Sequence, residues 1–300
     1  MKKFASLVWA LCACAHAQPV DPMPTVAEGR VERLAHFGSS FVAPRNVDVW
    51  LPPAYDPRNR YAVLYMHDGQ ELFDPVTAWN HRTWGMARTM AALIREGKIP
   101  PTLVVGIWNT GATRHSEYFP QKALAFMAEP MRTRFLSKEL GGQSRSDAYL
   151  RFIVEELKPE IDRRYSTNPD REHTAIMGSS MGGIISLYAI CEYPGTFGAA
   201  GCLSTHWPGI FSRNAAIPLA TFDYLSKHVP PPATHRLYFD RGTVALDALY
   251  PESQAFADLI FQEAGYSGRN FQSRVFAGDA HVEEDWGRRV AQPIAFLLGP

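Results

Sequence analysis

Residues 177–183 read Met177-Gly178-Ser179-Ser180-Met181-Gly182-Gly183. They close the apolar run "HTAIMG" and open a stretch of helix formers reaching about Tyr193. Two serines and three glycines add almost nothing to a core, so a strand that ends in them serves another purpose. Residues 178–182 fit G-x-S-x-G with Ser180 at the centre. Between a strand and a helix, this pattern makes a strained turn that pushes the serine hydroxyl into a cleft. Glycines two residues to either side have no Cβ to clash where the backbones crowd. The first amides of the following helix face a developing negative charge. Ser180 is therefore the candidate nucleophile, and the Met181 N–H a candidate oxyanion donor.

The segments around this turn alternate between two periodicities. "VDVWL", "YAVLYMH", "TLVVGIW", "HTAIMG", "FGAAGCLS", "HRLYFD" and "FQSRVFAG" read as strands, several of them continuously apolar. "TWGMARTMAALIREG", "SDAYLRFIVEELKPEIDRRY" and "ESQAFADLIFQEAGY" read as helices between them, and a last helix closes the chain. In the second helix Leu150, Ile153, Val154, Leu157 and Ile161 fall on one face, with Ser146 or Asp147 expected as N-cap. Residues 18–40 are expected to form an ordered lead-in. Apolar strands alternating with helices predict an α/β fold, a mainly parallel sheet with helices on both faces. Such sheets bind ligands at the carboxyl ends of their strands. Those ends carry His67-Asp68-Gly69, Trp108-Asn109, Ser180, Asp240 and Ala277-Gly278.

A serine hydroxyl needs a base, and the base needs an orienting acid. In this architecture they follow in the order serine, acid, histidine. His281, in "AGDAHVEEDW" after the last strand, stands where the base belongs, whereas His235 precedes a strand at the wrong end of the sheet. Asp240 ends the strand "HRLYFD" and Asp247 lies beyond it in "RGTVALDALYP"; either reaches His281 from this position. The second oxyanion amide comes from the Gly-containing turn after an early strand, here the Gln70 N–H in "YMHDGQELFD". Trp108, His206 and Trp207 are candidates for the cleft lining. Read alone, His67-Asp68 also suits a metal pair. The carboxylates of "HVEEDW" lack a second histidine or cysteine at ligand spacing, so no metal site is expected. An acidic first helical turn accounts for them.

The 300 residues hold 30 basic and 30 acidic side chains, 46% hydrophobic and 20% charged residues. Zero net charge and the lack of a basic run argue against nucleic acid as a partner. At the N-terminus, Lys2-Lys3, a short apolar run and Ala15-His16-Ala17 follow the grammar of a bacterial export signal. That run is too short for a membrane span. Residues 1–17 are therefore expected to be a signal peptide, and 18–300 one domain, secreted or periplasmic. Leu11-Cys12-Ala13-Cys14 also loosely matches a lipoprotein signal, so a lipid anchor stays open. Cys191 and Cys202 would then stand in an oxidising compartment, where they either pair or remain buried thiols.

"YMHDGQELFD", "TLVVGIWN", Arg114-x-x-Glu117-Tyr118, "EELKPEIDRRY", "MGSSMGG", "GTVALDALY" and His281 with Trp286 together resemble one esterase family of α/β-hydrolases. It includes enterochelin-esterase-like proteins, feruloyl and acetyl xylan esterases, and mycolyltransferases. The resemblance covers roughly residues 45–290. It implies the α/β-hydrolase fold and a triad of Ser180, His281 and Asp247, with the amides of Gln70 and Met181 as oxyanion hole. Three residues separate Gly242-Thr243 from Asp247, a longer gap than in several relatives, so Asp240 remains the alternative acid. No role for Arg114, Glu117 or Tyr118 follows from it. The implied activity is a serine esterase working through an acyl-enzyme, without cofactor or metal. Its substrate would be a small-molecule or oligosaccharide ester: a carbohydrate-linked acyl or feruloyl ester, or a siderophore-type lactone. Acyl transfer on the same scaffold and a non-catalytic binding protein are the alternatives.

Overall fold

The computed structural model describes residues 21–300, so the expected signal peptide, its lipoprotein-like cysteines and residues 18–20 lie outside the described residues. Among the described residues eight strands form a single sheet in the order β1-β2-β4-β3-β5-β6-β7-β8. They are β1 Arg30–Phe37, β2 Arg45–Leu51, β3 Ala62–His67, β4 Thr102–Ile107, β5 Thr174–Ser179, β6 Ala199–Leu203, β7 Arg236–Arg241 and β8 Phe271–Val275. Strand β2 pairs antiparallel with β1 and β4, and every other pairing is parallel. This is the α/β-hydrolase fold.

The near-continuous apolar strands are buried on both faces, for a simple geometric reason. Alternate side chains leave opposite faces of a strand, and helices cover both. Val63 and Tyr65 of β3 join one hydrophobic cluster, while Leu64 and Met66 join the other. The first cluster holds Ile184, Leu187 and Tyr188 of the helix Met181–Glu192, and the second holds Met86, Met90 and Leu93 of the helix Met86–Arg95. A buried aliphatic side chain in such a layer contributes about 1.5–3 kcal/mol over an exposed one.

Two expectations for the long helix are corrected, and the lead-in proves to hold a strand. Residues Arg30–Phe37 form an edge strand within the expected lead-in. Its sequence, "RVERLAHF", buries only Leu34, so it shows no apolar run; its Arg33 instead clamps Asp48 of β2 at 2.6 and 2.8 Å. The helical stretch after residue 145 runs as Ser146–Arg151, a π-helical segment Phe152–Leu157, and Lys158–Arg164. Its N-cap is Arg145, and Ser146 instead accepts a hydrogen bond from the Gln121 N–H. Val154 is only partly buried beside Leu150, Ile153, Leu157 and Ile161, because the wider π turn rotates it off the face. Cys191 and Cys202 are separate buried thiols.

Candidate active site

Ser180 occupies the turn between β5 and the helix Met181–Glu192, with φ 57° and ψ −121°. Non-glycine residues avoid this region, so the surroundings must hold it there. The Ser180 N–H donates to the Leu203 carbonyl at 2.9 Å, and the Ser180 carbonyl accepts from the His206 N–H at 3.1 Å. The loop after β6 thus pins the elbow. A Cβ on Gly178 would lie 2.8 Å from the Gly182 carbonyl carbon, which is why residue 178 is glycine.

The Met181 N–H starts the helix, and the Gln70 N–H lies in a 3-10 turn, Gly69–Glu71, directly after β3. Neither amide is bonded to an acceptor among the described residues. A Cβ on Gly69 would stand 2.4 Å from the Gly106 carbonyl carbon, so this turn lies flat against β4 only because residue 69 is glycine. Asp68 enters it in the left-handed region, φ 57°. Its carboxylate takes a fork from Arg114, Nε at 2.8 Å and Nη2 at 2.7 Å, and a bond from Asn109 Nδ2 at 2.7 Å. Burial raises the Asp68 pKa, but the Arg114 charge and these hydrogen bonds outweigh it and hold it below the usual carboxylate value. Arg114, which had no role in the sequence, braces the turn that carries Gln70.

His67 goes elsewhere: its buried ring meets the Tyr149 hydroxyl at 2.8 Å, and burial pushes its pKa down to about 3. It is a neutral core histidine, not half of a metal pair with Asp68. Glu117 forms a buried fork with Arg45 at 2.8 and 2.9 Å, and Tyr118 packs at a tilt against His67 and Tyr149.

His281 Nδ1 lies 2.5 Å from Asp247 Oδ1. Asp247 Oδ2 accepts from the Ser204 hydroxyl and from the Gly242 N–H, both at 2.6 Å. Burial pushes the Asp247 pKa up, yet the bonds from His281, Ser204 and Gly242 bring it below its ordinary value. Asp240 has a different partner. Fully buried, it holds Arg289 at 2.9 and 3.2 Å, with no hydrogen bond to His281 among the described residues. Burial raises its pKa against the pull of that arginine.

A cleft of about 920 Å³ brings Ser180, His281, Gln70, Trp108 and Arg114 together, with Glu71, Trp79, Phe211 and Glu283 also on its wall. His206 and Trp207 are not on that wall. His206 is buried against the Tyr250 hydroxyl at 2.8 Å, and burial lowers its pKa to about 3. Trp207 packs in the core with its Nε1 on Gln254. The expectation for these two is corrected: the chain turns inward after Thr205. Ser204 and Arg289 are neighbours of the site that motif reading passed over, since a lone serine after a strand carries no signal; Trp286, noted beside His281 in the sequence, had no role assigned there.

The profile of the Esterase family, described as putative esterase, matches residues 38–289. The uncharacterized protein YbbA of Bacillus subtilis is 26% identical over 165 residues, 54% of this chain and 58% of that one. The ferri-bacillibactin esterase BesA of Bacillus subtilis is 28% identical over 163 residues, 52% of each chain. The chain thus spans about half the length of the curated relatives it matches. A solved ferulic acid esterase superposes with a TM-score of 0.64 at 21% identity, covering 90% of this chain and 98% of that one. With most of its length inside the family profile, this chain belongs to the Esterase family.

Proposed function

We propose that the protein is an exported serine esterase, cleaving a carboxylic ester with Ser180 as nucleophile, His281 as base and Asp247 as orienting acid. The observation carrying this reading is the 2.5 Å bond between His281 Nδ1 and Asp247 Oδ1, on a histidine that shares a cleft with the strained Ser180. Asp247 selects the tautomer that leaves Nε2 free to take the Ser180 proton, and it stabilises the imidazolium that results. The serine oxygen adds to the ester carbonyl, whose oxygen becomes an anion facing the amides of Gln70 and Met181. Collapse of this intermediate expels the alcohol, which takes its proton from His281. Water, activated by the same histidine, then releases the acid and restores the serine. Export rests on the reading of residues 1–17.

Trp79 and Phe211, 77% and 85% exposed on the cleft wall, offer ring faces to a flat or sugar-like substrate. Together with the names of BesA and the ferulic acid esterase, they support a carbohydrate-linked acyl or feruloyl ester, or a siderophore-type lactone. The test is covalent labelling by a fluorescent organophosphonate. Wild type and Ser179→Ala should be labelled and Ser180→Ala should not. Labelling that survives in Ser180→Ala and disappears in Ser179→Ala would overturn the assignment.

A further inference from the structure

Glu71 follows Gln70 in the turn after β3, and Glu283 follows His281 by two residues. Both line the cleft, and each is only 7% exposed. Neighbouring carboxylates are engaged: Asp68 by Arg114, Asp247 by Ser204, Asp285 by the Ala280 N–H, and Glu284 at the surface by Arg82. Among the described residues no hydrogen bond of ordinary geometry reaches the carboxyl of Glu71 or Glu283, although the Trp79 indole lies near enough to Glu71 to favour its ionised form. Both side chains are packed into the wall while their carboxyl oxygens stay open to the cleft, neither being sealed away without a partner. Two carboxyls that open on one wall of an active-site cleft point to a partner supplied by the substrate.

We propose that Glu71 and Glu283 form a hydroxyl-binding subsite, in which Glu71 donates to the oxygen of a substrate hydroxyl and Glu283 accepts its hydrogen. The proposal rests on the esterase reading and makes these two residues determinants of its specificity. The charges around Glu71 fit this division of labour. Burial and the charges of Asp68 and Glu283 lift its carboxyl to about 8, against Arg114 and the Trp79 indole. At neutral pH it keeps its proton and is a donor. An organic cation would instead need both carboxyls ionised beside Asp68, in a cleft that Arg82 and Arg114 also line. The hydroxyl belongs to the alcohol part of the ester, as in an acylated sugar, or to the acyl part, as in a phenolic acid.

Matched ester pairs test the subsite, with kcat/KM read as a ratio within each pair. The pairs are trans-2-hydroxycyclohexyl and cyclohexyl acetate for the alcohol part, and methyl 4-hydroxycinnamate and methyl cinnamate for the acyl part. Acetylcholine against 3,3-dimethylbutyl acetate probes a cation. Glu71→Leu should lower the preference for the hydroxylated member about tenfold or more in one of the first two pairs, which identifies the source. Glu71→Gln, which keeps a neutral donor, should retain most of it, and Glu283→Gln should lose it. The wild-type preference should fade as pH rises through about 8, where Glu71 loses its proton, and that of Glu71→Gln should not. An unchanged preference in both hydroxyl pairs, or a loss confined to the acetylcholine pair, would overturn the subsite. Failure of the wild type to cleave any ester or to be labelled by the organophosphonate would instead remove the esterase reading beneath it.

Discussion

The Ser204 hydroxyl lies 2.6 Å from Asp247 Oδ2, the carboxylate oxygen that His281 leaves free. The same Oγ accepts from Trp286 Nε1 at 2.9 Å and from Arg289 Nη2 at 3.0 Å. One hydroxyl therefore joins the Asp247–His281 pair to the buried Asp240–Arg289 pair. A hydroxyl that accepts twice must aim its own hydrogen at the third partner, so its proton is directed to Asp247.

Ser204→Ala should accordingly leave the Trp286 N–H without an acceptor and Asp247 with one donor fewer. A stability loss of about 1–3 kcal/mol is expected from the orphaned groups. A fall in kcat of about tenfold should accompany it as the carboxylate loses one of its restraints. Urea unfolding and ester turnover on the same preparation check both. A variant with full kcat and full stability would show the hydroxyl to be incidental.

The two aspartates should separate cleanly. Asp247→Asn removes the acceptor that fixes the His281 tautomer, so kcat should drop by roughly 10⁴ with the fold kept. Asp240→Asn leaves the buried Arg289 guanidinium facing an amide. It should destabilise by about 3–5 kcal/mol while kcat at low temperature stays within about tenfold. Measuring kcat and Tm for both variants decides the matter, and the reverse pattern would make Asp240 the acid.

Gly242 tests how closely the acid loop is packed. A Cβ there would stand 2.1 Å from the Asp279 carbonyl oxygen and 3.0 Å from Asp247 Oδ2. Gly242→Ala should push the loop off Asp279, lengthen the 2.6 Å bond from its N–H to Asp247, and lower both Tm and kcat. Gly268, with open space around its Cβ position, is the control. Gly268→Ala should be neutral or slightly stabilising, by up to about 1 kcal/mol.

The pH dependence of stability carries a signature of Glu71. Its pKa in the folded protein, about 8, lies above the usual unfolded glutamate value of about 4.3. Between the two values the folded state holds more protons than the unfolded state, so stability falls as pH rises through that window. Glu71→Gln should remove this decline and raise Tm most at the alkaline end. Asp68 acts in the opposite sense. Its pKa is depressed, so its contribution is present above the unfolded value of about 3.9 and is lost as pH falls through the folded value. Asp68→Asn should therefore flatten the acid limb of a Tm–pH curve and, by removing a charge that lifts Glu71, also weaken the alkaline decline; an unchanged acid limb would contradict the assignment.

Strand periodicity and the glycine pattern around Ser180 are local properties, and both were legible in the chain. A continuously apolar strand can only be buried on two faces, and G-x-S-x-G between a strand and a helix has few other uses. His281 was legible as well, because position after the last strand is a matter of order along the chain. The edge strand Arg30–Phe37 was not, since a solvated edge needs no apolar run and is recognised only by its pairing with β2.

The sequence by itself thus determined seven of the eight strands, their order and which residue types could react. What it could not decide was which groups meet across the sheet. Asp240 and Asp247 are seven positions apart and chemically identical, yet one faces Arg289 and the other His281. Strand pleat and the close approach of Gly242 to Asp279 make that choice, and both depend on packing. His206 and Trp207 looked equally available for the cleft until the chain turned them into the core. Ser204 takes its character from Asp247, Trp286 and Arg289, and Glu71 from burial, its near neighbour Asp68 and the distant Glu283. A hydrogen-bond hub and a raised pKa are properties of an environment, and only the tertiary structure builds one.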